Sequence, residues 1–283
     1  MVPLVSKALH YEERRGPHSV GGHVRDSAAY VCWAFARAYK PEAMADCLPV
    51  LTPALLMASC YDRDVSCRRS ASAAFQESVG RLGASQFPHG IEILTSADYF
   101  TLGSRKQAFL TVGPTIAALP QYLVPLAEHL LTRKLSNWDA SVRALAAEAL
   151  AALVHLQPRY FAEVALPLAI ERAVDKNSLE MRHGALLAAA ALVQALHDAG
   201  WQHGDIKGDA VALALRVHSQ DLCRGKGGDL MREGQCKLIA TIGRLRAPLE
   251  QAQVSSLGMY LYPLSQFVAS LLLLFCRWTS STA

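Results

Sequence analysis

The sequence of 283 residues has few aromatic side chains and no run of basic residues. Aromatic residues make up 7% of the chain, whereas alanine, leucine and valine dominate a hydrophobic fraction of 52%. This composition favours closely stacked helices over a core built from sheets. The formal net charge is only +4, from 28 basic and 24 acidic residues. Without a basic run, a surface that follows a nucleic-acid backbone is not expected.

A disulfide framework is also not expected, because the seven cysteines are an odd number. Six of them lie within helical patterns, where a free cysteine behaves as a small buried hydrophobic residue: Cys32, Cys47, Cys60, Cys67, Cys223 and Cys236. This usage favours a reduced, cytoplasmic setting. Cys67 precedes two arginines, which would lower the pKa of its thiol if it were accessible; simple packing near a repeat turn is the alternative.

Catalytic motifs are lacking. The sequence contains no phosphate-binding G-x-x-x-x-G-K-[ST], no H-E-x-x-H, no paired C-x-x-C and no G-x-S-x-G. The glycine-rich residues 224–228 join two predicted helices and lack a preceding strand. One polar turn between helices carries side chains that bind metals elsewhere: His197, Asp198, His203 and Asp205. We predict no catalytic residue, cofactor or metal site; an enzyme would need a convergent pocket that the sequence does not indicate.

One pattern recurs along the chain. In residues 137–153, a short polar turn precedes a helix whose apolar residues recur at steps of three and four, which places them on one face. Because the positive charge of Arg143 in the first turn opposes the helix dipole, we expect it to bind an acidic side chain or a carbonyl group of the adjoining turn. Similar segments, at separations of 37 to 50 residues, surround Arg25, Arg68, Arg105, Arg182 and Arg232.

These separations predict the fold. Most are close to the period of about 40 to 47 residues of two-helix HEAT or armadillo units, so we expect an all-α protein, an α-solenoid of HEAT/armadillo-type repeats. About six helix pairs would occupy residues 1–246, with an insert at 81–103 that projects from one face. Five arginines should hold equivalent structural positions near the starts of the second helices: Arg25, Arg68, Arg143, Arg182 and Arg232.

Residues 247–283 depart from this pattern and form a divergent apolar tail. No charged residue occurs between Gln251 and Cys276. Pro263 and several polar residues interrupt the stretch, and its continuously apolar part is only about ten residues, shorter than a bilayer requires. We therefore expect an end that lies outside the repeats rather than a membrane anchor.

Three long motifs resemble the tubulin-folding cofactor D family. They are RRGPHSVGGHVRDSAAYVCWAFARAY at 14–39, DRDVSCRRSASAAFQESVGR at 62–81 and FPHGIEILTSADYFTLGSR at 87–105. The resemblance covers residues 1 to about 246 and implies a cytoplasmic, cytoskeleton-associated chaperone that captures β-tubulin. It also implies a part in assembling and dismantling the αβ-tubulin heterodimer, with other tubulin-folding cofactors and an Arf-like small GTPase as partners.

Members of that family are several times longer, so the chain is interpreted as an internal portion or a truncated isoform with incomplete function. The alternative is a generic HEAT-repeat scaffold or adaptor. We expect partner contacts at Arg14, Arg15, Phe87, His89, Asp98, Tyr99 and Arg105. The family stimulates GTP hydrolysis by tubulin together with its partners, and the same three arginines are conceivable contributors to it; we nevertheless predict binding without catalysis.

Overall fold

The computed structural model describes residues 1–16 and 18–258, and α-helices dominate this part of the chain. The prediction of an all-α class is therefore confirmed. The chain divides into two compact units, Met1–Thr132 and Arg133–Ala283, a division that the repeat pattern did not indicate.

The first unit contains both short and long helices. They are α1 (Val2–Ala8), α2 (Gly22–Ala38), α3 (Pro41–Met44), α4 (Leu48–Tyr61), α5 (Val65–Leu82), α6 (Gly90–Ser96), α7 (Arg105–Gln107), α8 (Gly113–Ala117) and α9 (Pro120–His129). A hairpin of β1 (Glu13–Arg15) and β2 (His18–Val20) precedes α2, with Glu13 opposite Val20. Short 3-10 helices at Ala84–Gln86 and Thr101–Gly103 flank α6.

The second unit follows the same plan. Its helices are α10 (Ala140–Leu153), α11 (Pro158–Tyr160), α12 (Leu166–Arg172), α13 (Leu179–Asp198), α14 (Ile206–Ser219), α15 (Gly228–Arg244) and α16 (Gln251–Gly258). A 3-10 helix, Val154–Leu156, follows α10. Wider π-helical turns occupy Ala108–Val112, Leu130–Lys134 and Phe161–Ala165.

Two prolines account for two of the π-helical turns. Pro114 and Pro167 each come two residues after such a turn ends. A proline lacks the N–H of a regular helix and its ring clashes with the carbonyl four residues earlier. In both cases that carbonyl lies within the π-helical turn, where the wider helix accommodates the ring.

Helix pairs are the building unit within each half. In the first unit, α2 packs against α5, while α1 packs on α2 and α4 packs on α5. In the second unit, α10, α13 and α15 pack side by side, with α12 on α13 and α14 on α15. We call α2, α5, α10, α13 and α15 the second helices of their repeats. This layering is the arrangement of two-helix repeats, in which each unit buries its apolar face against its neighbours.

Helix α13 is the most enclosed of these helices, because it contacts α10, α12 and α15. Its residues 183–190 are all buried, as expected for a helix surrounded by others rather than amphipathic. Four of these eight residues are alanines, and another is a glycine, Gly184. Their small side chains allow the neighbouring helices to approach closely.

The predicted insert at 81–103 does not project as expected. It folds into α6 with its flanking 3-10 helices, and α6 packs between α5 and α8. Phe87, Ile93 and Leu102 are buried, so apolar side chains draw the segment into the core. The segment is a shortened first helix of a repeat, and this explains why it disturbed the sequence period.

The tail also differs from expectation near its start. Helix α16 packs against α14 and buries Leu257, so residues 251–258 continue the helical stack. The later apolar run, from Phe267 to Cys276, lies outside the described residues. Among the helices of residues 1–16 and 18–258, none is both long enough and apolar enough to cross a membrane.

Gly184 tests the close packing of α13. A Cβ atom at this position would lie 2.0 Å from the carbonyl oxygen of Leu135, so the backbone would have to move. We expect Gly184→Ala to lower the free energy of unfolding by about 3 kcal/mol or more, at the upper end of overpacking effects. Urea unfolding followed by circular dichroism measures the change.

Gly80 is the matched control, because it is also helical but a Cβ atom there would meet nothing within 4 Å. Gly80→Ala should raise the stability slightly, by about 0.5 to 1 kcal/mol, since alanine is the better helix former. Equal effects of the two substitutions would contradict the proposed close approach of α13.

Candidate functional site

Three arginines are buried at the same helical position. Arg25, Arg68 and Arg143 are the fourth residues of α2, α5 and α10. An arginine keeps its charge and has five N–H donors, and burial of a charge is costly unless these donors find acceptors. The surrounding structure must therefore provide several oxygen or nitrogen acceptors around each guanidinium group.

Arg68 and Arg143 use the turn before their own helix in the same way. In each, Nη1 donates to the carbonyl oxygens five and six residues earlier, at 3.0 and 3.0 Å for Arg68 and at 3.0 and 2.7 Å for Arg143. The expectation that Arg143 binds a carbonyl of the adjoining turn is thus confirmed.

The turn is shaped for this purpose by a buried Asp or Asn. Asp62 Oδ1 accepts from the backbone N–H of Asp64 at 2.8 Å, and Asn137 Oδ1 accepts from that of Asp139 at 2.9 Å. Such a side-chain bond to the backbone two residues later mimics a turn. The carbonyl group of the Asp or Asn and that of the next residue then remain available to the arginine.

Each arginine also reaches the next repeat. Arg68 donates through Nε to the carbonyl of Leu102 at 2.8 Å and through Nη2 to that of Gly103 at 3.1 Å. Arg143 donates through Nε to His183 Nδ1 at 3.0 Å. One guanidinium group therefore connects a turn, its own helix and the neighbouring repeat.

Arg25 makes the same connection with carboxylates. Its Nε lies 2.7 Å from Asp62 Oδ2, its Nη2 lies 2.7 Å from Asp64 Oδ2, and its Nη1 donates to the carbonyl of Tyr11 at 2.9 Å. The arginine of one repeat thus neutralises the acidic turn of the next. Such charge-assisted bonds are about twice as strong as bonds between neutral groups.

The different acceptors shift the pKa values of the two arginines in opposite directions. Burial disfavours the charge of Arg25, but the carboxylate of Asp62, helped by that of Asp64, outweighs it and raises the pKa. Burial, together with the charge of Arg105, lowers the pKa of Arg68, because the acceptors that Arg68 contacts are neutral carbonyl groups. Both arginines remain protonated at any physiological pH.

His183 completes the contacts of Arg143 and must be neutral to do so. The histidine is buried, and its Nδ1 accepts the Arg143 hydrogen bond. Burial, followed by the charge of Arg143, lowers the pKa of His183 from 6.5 to about 4. The imidazole is therefore an uncharged acceptor at neutral pH.

The remaining two repeat arginines depart from this arrangement. Arg182 is also the fourth residue of its helix, but its turn is one residue longer: Asp175, which accepts from Asn177 N–H at 3.0 Å, lies seven residues before it. Arg182 Nε is buried without a hydrogen-bond partner among the described residues. The expected equivalence is wrong for Arg232, which is exposed and pairs with Asp229, because the buried Met231 takes the fourth position.

Cys67 lies beside Asp62 and Asp64, and within residues 1–16 and 18–258 these three form the one group spaced as metal ligands would be. The positive charge there is already provided by Arg25. Of the two alternatives for Cys67, a lowered thiol pKa is excluded, because burial, with the nearby Asp62 carboxylate, raises the pKa of Cys67 to about 11. Its Sγ donates to the carbonyl of Gly22 at 3.3 Å, which marks it as a packed residue.

The predicted contact residue Phe87 lies in the core rather than on the surface. It is 2% exposed, and its ring meets that of Phe75 edge to face at 5.7 Å. The prediction of a partner contact is therefore wrong for this residue, because its apolar ring is already buried against α5.

Asp98 and Tyr99, in contrast, are exposed, together with Phe100; we call these three residues the aromatic knob. Asp98 Oδ1 accepts from the backbone N–H groups of Phe100 at 2.7 Å and Thr101 at 2.8 Å, and these bonds lower its pKa. The rings of Tyr99 and Phe100 are 62% and 83% exposed and meet edge to face at 5.6 Å.

Arg69 fixes the aromatic knob from below. Its guanidinium carbon lies 3.5 Å from the centre of the Tyr99 ring, and its Nε donates to the Tyr99 carbonyl at 3.1 Å. Although Tyr99 and Phe100 lie in the segment that follows α6, Arg69 of α5 fixes the Tyr99 ring, and that ring contacts Phe100.

The other predicted contact residues are spread over three places in the first unit. Arg14 and Arg15 lie on β1, where Arg15 pairs with Glu13 at 3.0 Å. His89 has a left-handed backbone (φ 63°), and its Nδ1 lies 3.1 Å from Glu92 Oε2. Arg105, the first residue of α7, is half-buried.

The polar turn after α13 does not gather its metal-ligand types into a cluster. Among the described residues, the one group with the spacing of metal ligands is that of Asp62, Asp64 and Cys67. It does not contain the four side chains of the polar turn, which are His197, Asp198, His203 and Asp205. Asp198 instead binds Gln194 Nε2 at 2.9 Å, and Asp205 accepts from the N–H of Gly208 at the start of α14. Both carboxylates therefore act as local structural groups.

Comparison with known proteins agrees with the repeat geometry. Residues 1–91 match the family model described as "Tubulin-specific chaperone D-like, ARM repeats". Over 246 residues, or 86% of the chain, the sequence is 37% identical to tubulin-specific chaperone D of Dictyostelium discoideum. The chain is a relative of tubulin-specific chaperone D. The α-solenoid class of HEAT/armadillo-type repeats predicted from the sequence is thereby confirmed.

A second relative is tubulin-folding cofactor D of Schizosaccharomyces pombe (strain 972 / ATCC 24843), 28% identical over 159 residues, or 56% of the chain. The chain spans 16% of the tubulin-specific chaperone D of Dictyostelium discoideum and 14% of the Schizosaccharomyces pombe protein. Neither name is that of an enzyme. No solved structure matches the chain significantly.

Sequence reasoning missed two exposed residues next to the predicted contacts of this relative of tubulin-specific chaperone D. Phe100 and Ile91 are 83% and 67% exposed. The signal was available for Phe100, because two adjacent aromatic residues follow an aspartate in a stretch without helical period. Ile91 gave no signal, since an apolar residue early in a helix is usually buried.

The contact between Arg143 and His183 makes stability depend on pH. Because the unfolded histidine binds a proton near pH 6.5 and the folded one only near pH 4, the unfolded state holds more protons between these values. Stability must therefore fall as the pH drops through this window. We expect a loss of about 2 kcal/mol between pH 7.5 and pH 5 from this residue, measured by urea unfolding.

His183→Gln is the control variant, because its amide oxygen can accept from Arg143 but does not titrate. Between pH 7.5 and pH 5, the free energy of unfolding of this variant should fall about 2 kcal/mol less than that of the unaltered chain, because the contribution of His183 is missing. An identical pH dependence in both proteins would show that His183 is not a neutral acceptor in the folded state.

Proposed function

We propose that this chain is a segment of a cytoplasmic, cytoskeleton-associated chaperone that binds β-tubulin. In this role it takes part in assembling and dismantling the αβ-tubulin heterodimer, with other tubulin-folding cofactors and an Arf-like small GTPase as further partners. The observation that carries the proposal is the 37% identity over 246 residues with a protein named for its action on tubulin.

The described residues support binding as the mode of action. A stack of helical repeats presents successive helix ends and faces as one extended surface for another protein. The aromatic knob is suited to such contact, because Tyr99 and Phe100 are exposed large rings, and aromatic residues are enriched among the side chains that dominate interface energies. Since Asp98 and Arg69 already fix the knob, little conformational entropy is lost on binding.

His89, Arg14, Arg15 and Arg105 remain further proposed contacts. His89 and Arg105 flank the aromatic knob in sequence, and Ile91 adds a second exposed apolar group on α6. Arg14 and Arg15 lie on the hairpin, so they would form a separate, polar part of the interface. Phe87 is left out because it is buried.

Removal of the aromatic knob should weaken tubulin binding. We expect the double substitution Tyr99→Ala and Phe100→Ala to lower the affinity for purified αβ-tubulin at least tenfold, because truncated hot-spot residues cost about 2 kcal/mol or more. Biolayer interferometry with the immobilised chain measures the dissociation constant.

Tyr39→Ala is the matched control, because Tyr39 is 54% exposed at the end of α2, away from the knob in sequence. It should bind like the unaltered chain. If the chain binds tubulin and the knob variant binds equally well, the knob is not a contact. If the unaltered chain binds no tubulin, a generic scaffold or adaptor becomes the better interpretation.

We also propose that the chain acts without catalysing GTP hydrolysis by itself. An arginine supplied to a nucleotide site in trans can raise the rate by about 10³ to 10⁵, so Arg14, Arg15 and Arg105 require consideration. Arg15 is engaged with Glu13, and Arg14 Nε donates to the Gly16 carbonyl at 3.2 Å. These described contacts are local to the hairpin, and they do not direct either arginine into a concave site of the size of a nucleotide.

The corresponding assay is GTP hydrolysis by purified tubulin with this chain as the only addition. We expect less than about a twofold change in rate, because the arginine effect, where it exists, is orders of magnitude larger. Strong stimulation that is lost on Arg14→Ala, Arg15→Ala or Arg105→Ala would show instead that the chain provides a catalytic arginine.

A further inference from the structure

A groove runs along the second helices of the second unit. Helices α10, α13 and α15 line a cavity of about 420 Å³, within the size range of roughly 300 to 1,000 Å³ typical of binding sites. Its apolar lining is almost wholly alanine, with Leu187 as the one large aliphatic residue; the alanines are Ala144, Ala147, Ala151, Ala190, Ala191 and Ala195.

The alanines explain why the groove exists. Ala147 and Ala190 are buried where α10 and α13 pack against each other, so the two helices lie close together. Side chains no longer than a methyl group then leave open volume above α13. Larger residues at the half-buried positions, such as Ala191, would fill the groove.

The two walls of the groove carry opposite charges. On the side of α10 lies Glu148, which is exposed, while α15 contributes Lys237 and Arg244, also exposed. Lys237 Nζ pairs with Glu233 Oε1 at 2.8 Å on the same helix, so Arg244 carries most of the positive charge of this edge. The groove therefore has an acid on one edge and a net positive charge on the other, which favours one orientation of a complementary partner.

Helix α13, between the two edges, adds hydrogen-bond acceptors to the groove. Gln194 and Asp198 line the groove on α13, and Gln194 Nε2 donates to Asp198 Oδ1 at 2.9 Å. Gln194 Oε1 is buried without a donor among the described residues. A buried acceptor left without a donor costs free energy, and a basic side chain of a bound partner would remove that cost.

We propose that a helix of the tubulin client lies in this groove. Its small apolar side chains would rest on the alanine floor, its basic edge would face Glu148 and Gln194, and its acidic edge would face Lys237 and Arg244. A helix suits the site because helices dock into grooves between helices through residues spaced three and four apart. The inference rests on the proposed function, since tubulin is the partner it names.

Two kinds of variant test the groove. Ala191→Leu fills it from a half-buried position, so the helix core is undisturbed, and the double reversal Glu148→Lys with Lys237→Glu inverts its exposed edges. The matched controls are Ala240→Leu, an exposed alanine of α15 outside the groove, and Glu171→Lys, an exposed acid of α12. Each full-length variant is compared with the unaltered chain in binding to purified αβ-tubulin, after its melting temperature has been checked.

We expect both groove variants to bind at least tenfold more weakly and both controls to bind within twofold of the unaltered chain. Tubulin binding that is unchanged in the charge-reversed variant and in a folded Ala191→Leu variant would overturn the inference while leaving the proposed function intact. An unaltered chain that captures no tubulin would overturn the proposed function, and the inference with it.

Discussion

The structure depends on the need to satisfy a guanidinium group that has been removed from water. Arg68 and Arg143 are buried, and the acceptors described around them are backbone carbonyl groups and, for Arg143, also the neutral imidazole of His183. Such acceptors are fixed by the backbone, so the arginine constrains the position of its turn and of the next repeat at once. In a linear array, where stability is the sum of repeat and neighbour terms, this side chain contributes to both terms.

The same constraint explains how the repeats diverge. Where the Asp or Asn lies six residues before the arginine, as for Asp62 and Asn137, the guanidinium reaches the carbonyls. One additional residue before Arg182 changes that register, and within the described part of the chain its Nε is left buried without a hydrogen-bond partner. In the next repeat, Met231 replaces the arginine altogether. The polar connection of the earlier repeats thus gives way to apolar packing along α13 and α15.

The sequence was sufficient for the class of fold and for part of this site. The apolar period and the recurring arginines predicted the repeats, and the dipole argument predicted an acidic or carbonyl partner for Arg143, of which the carbonyl is found. Local reasoning stops at the acceptors that come from the next repeat, such as Leu102, Gly103 and His183, because these depend on how two units stack. It also failed for Phe87, since the number of residues in a loop does not reveal which side chains it turns inward.

The two proposed contact surfaces would serve binding in different ways. The aromatic knob projects large apolar rings that gain free energy from any suitably shaped apolar pocket, so it favours affinity. The groove has little apolar area to offer, because its floor is alanine, and its charged edges reward only one orientation of the partner, so it favours specificity and correct placement. A chaperone that positions a client needs both properties. Rigid attachment of each surface to the second helices, through Arg69 in one unit and the α10–α13–α15 layer in the other, keeps the cost of ordering low in both cases.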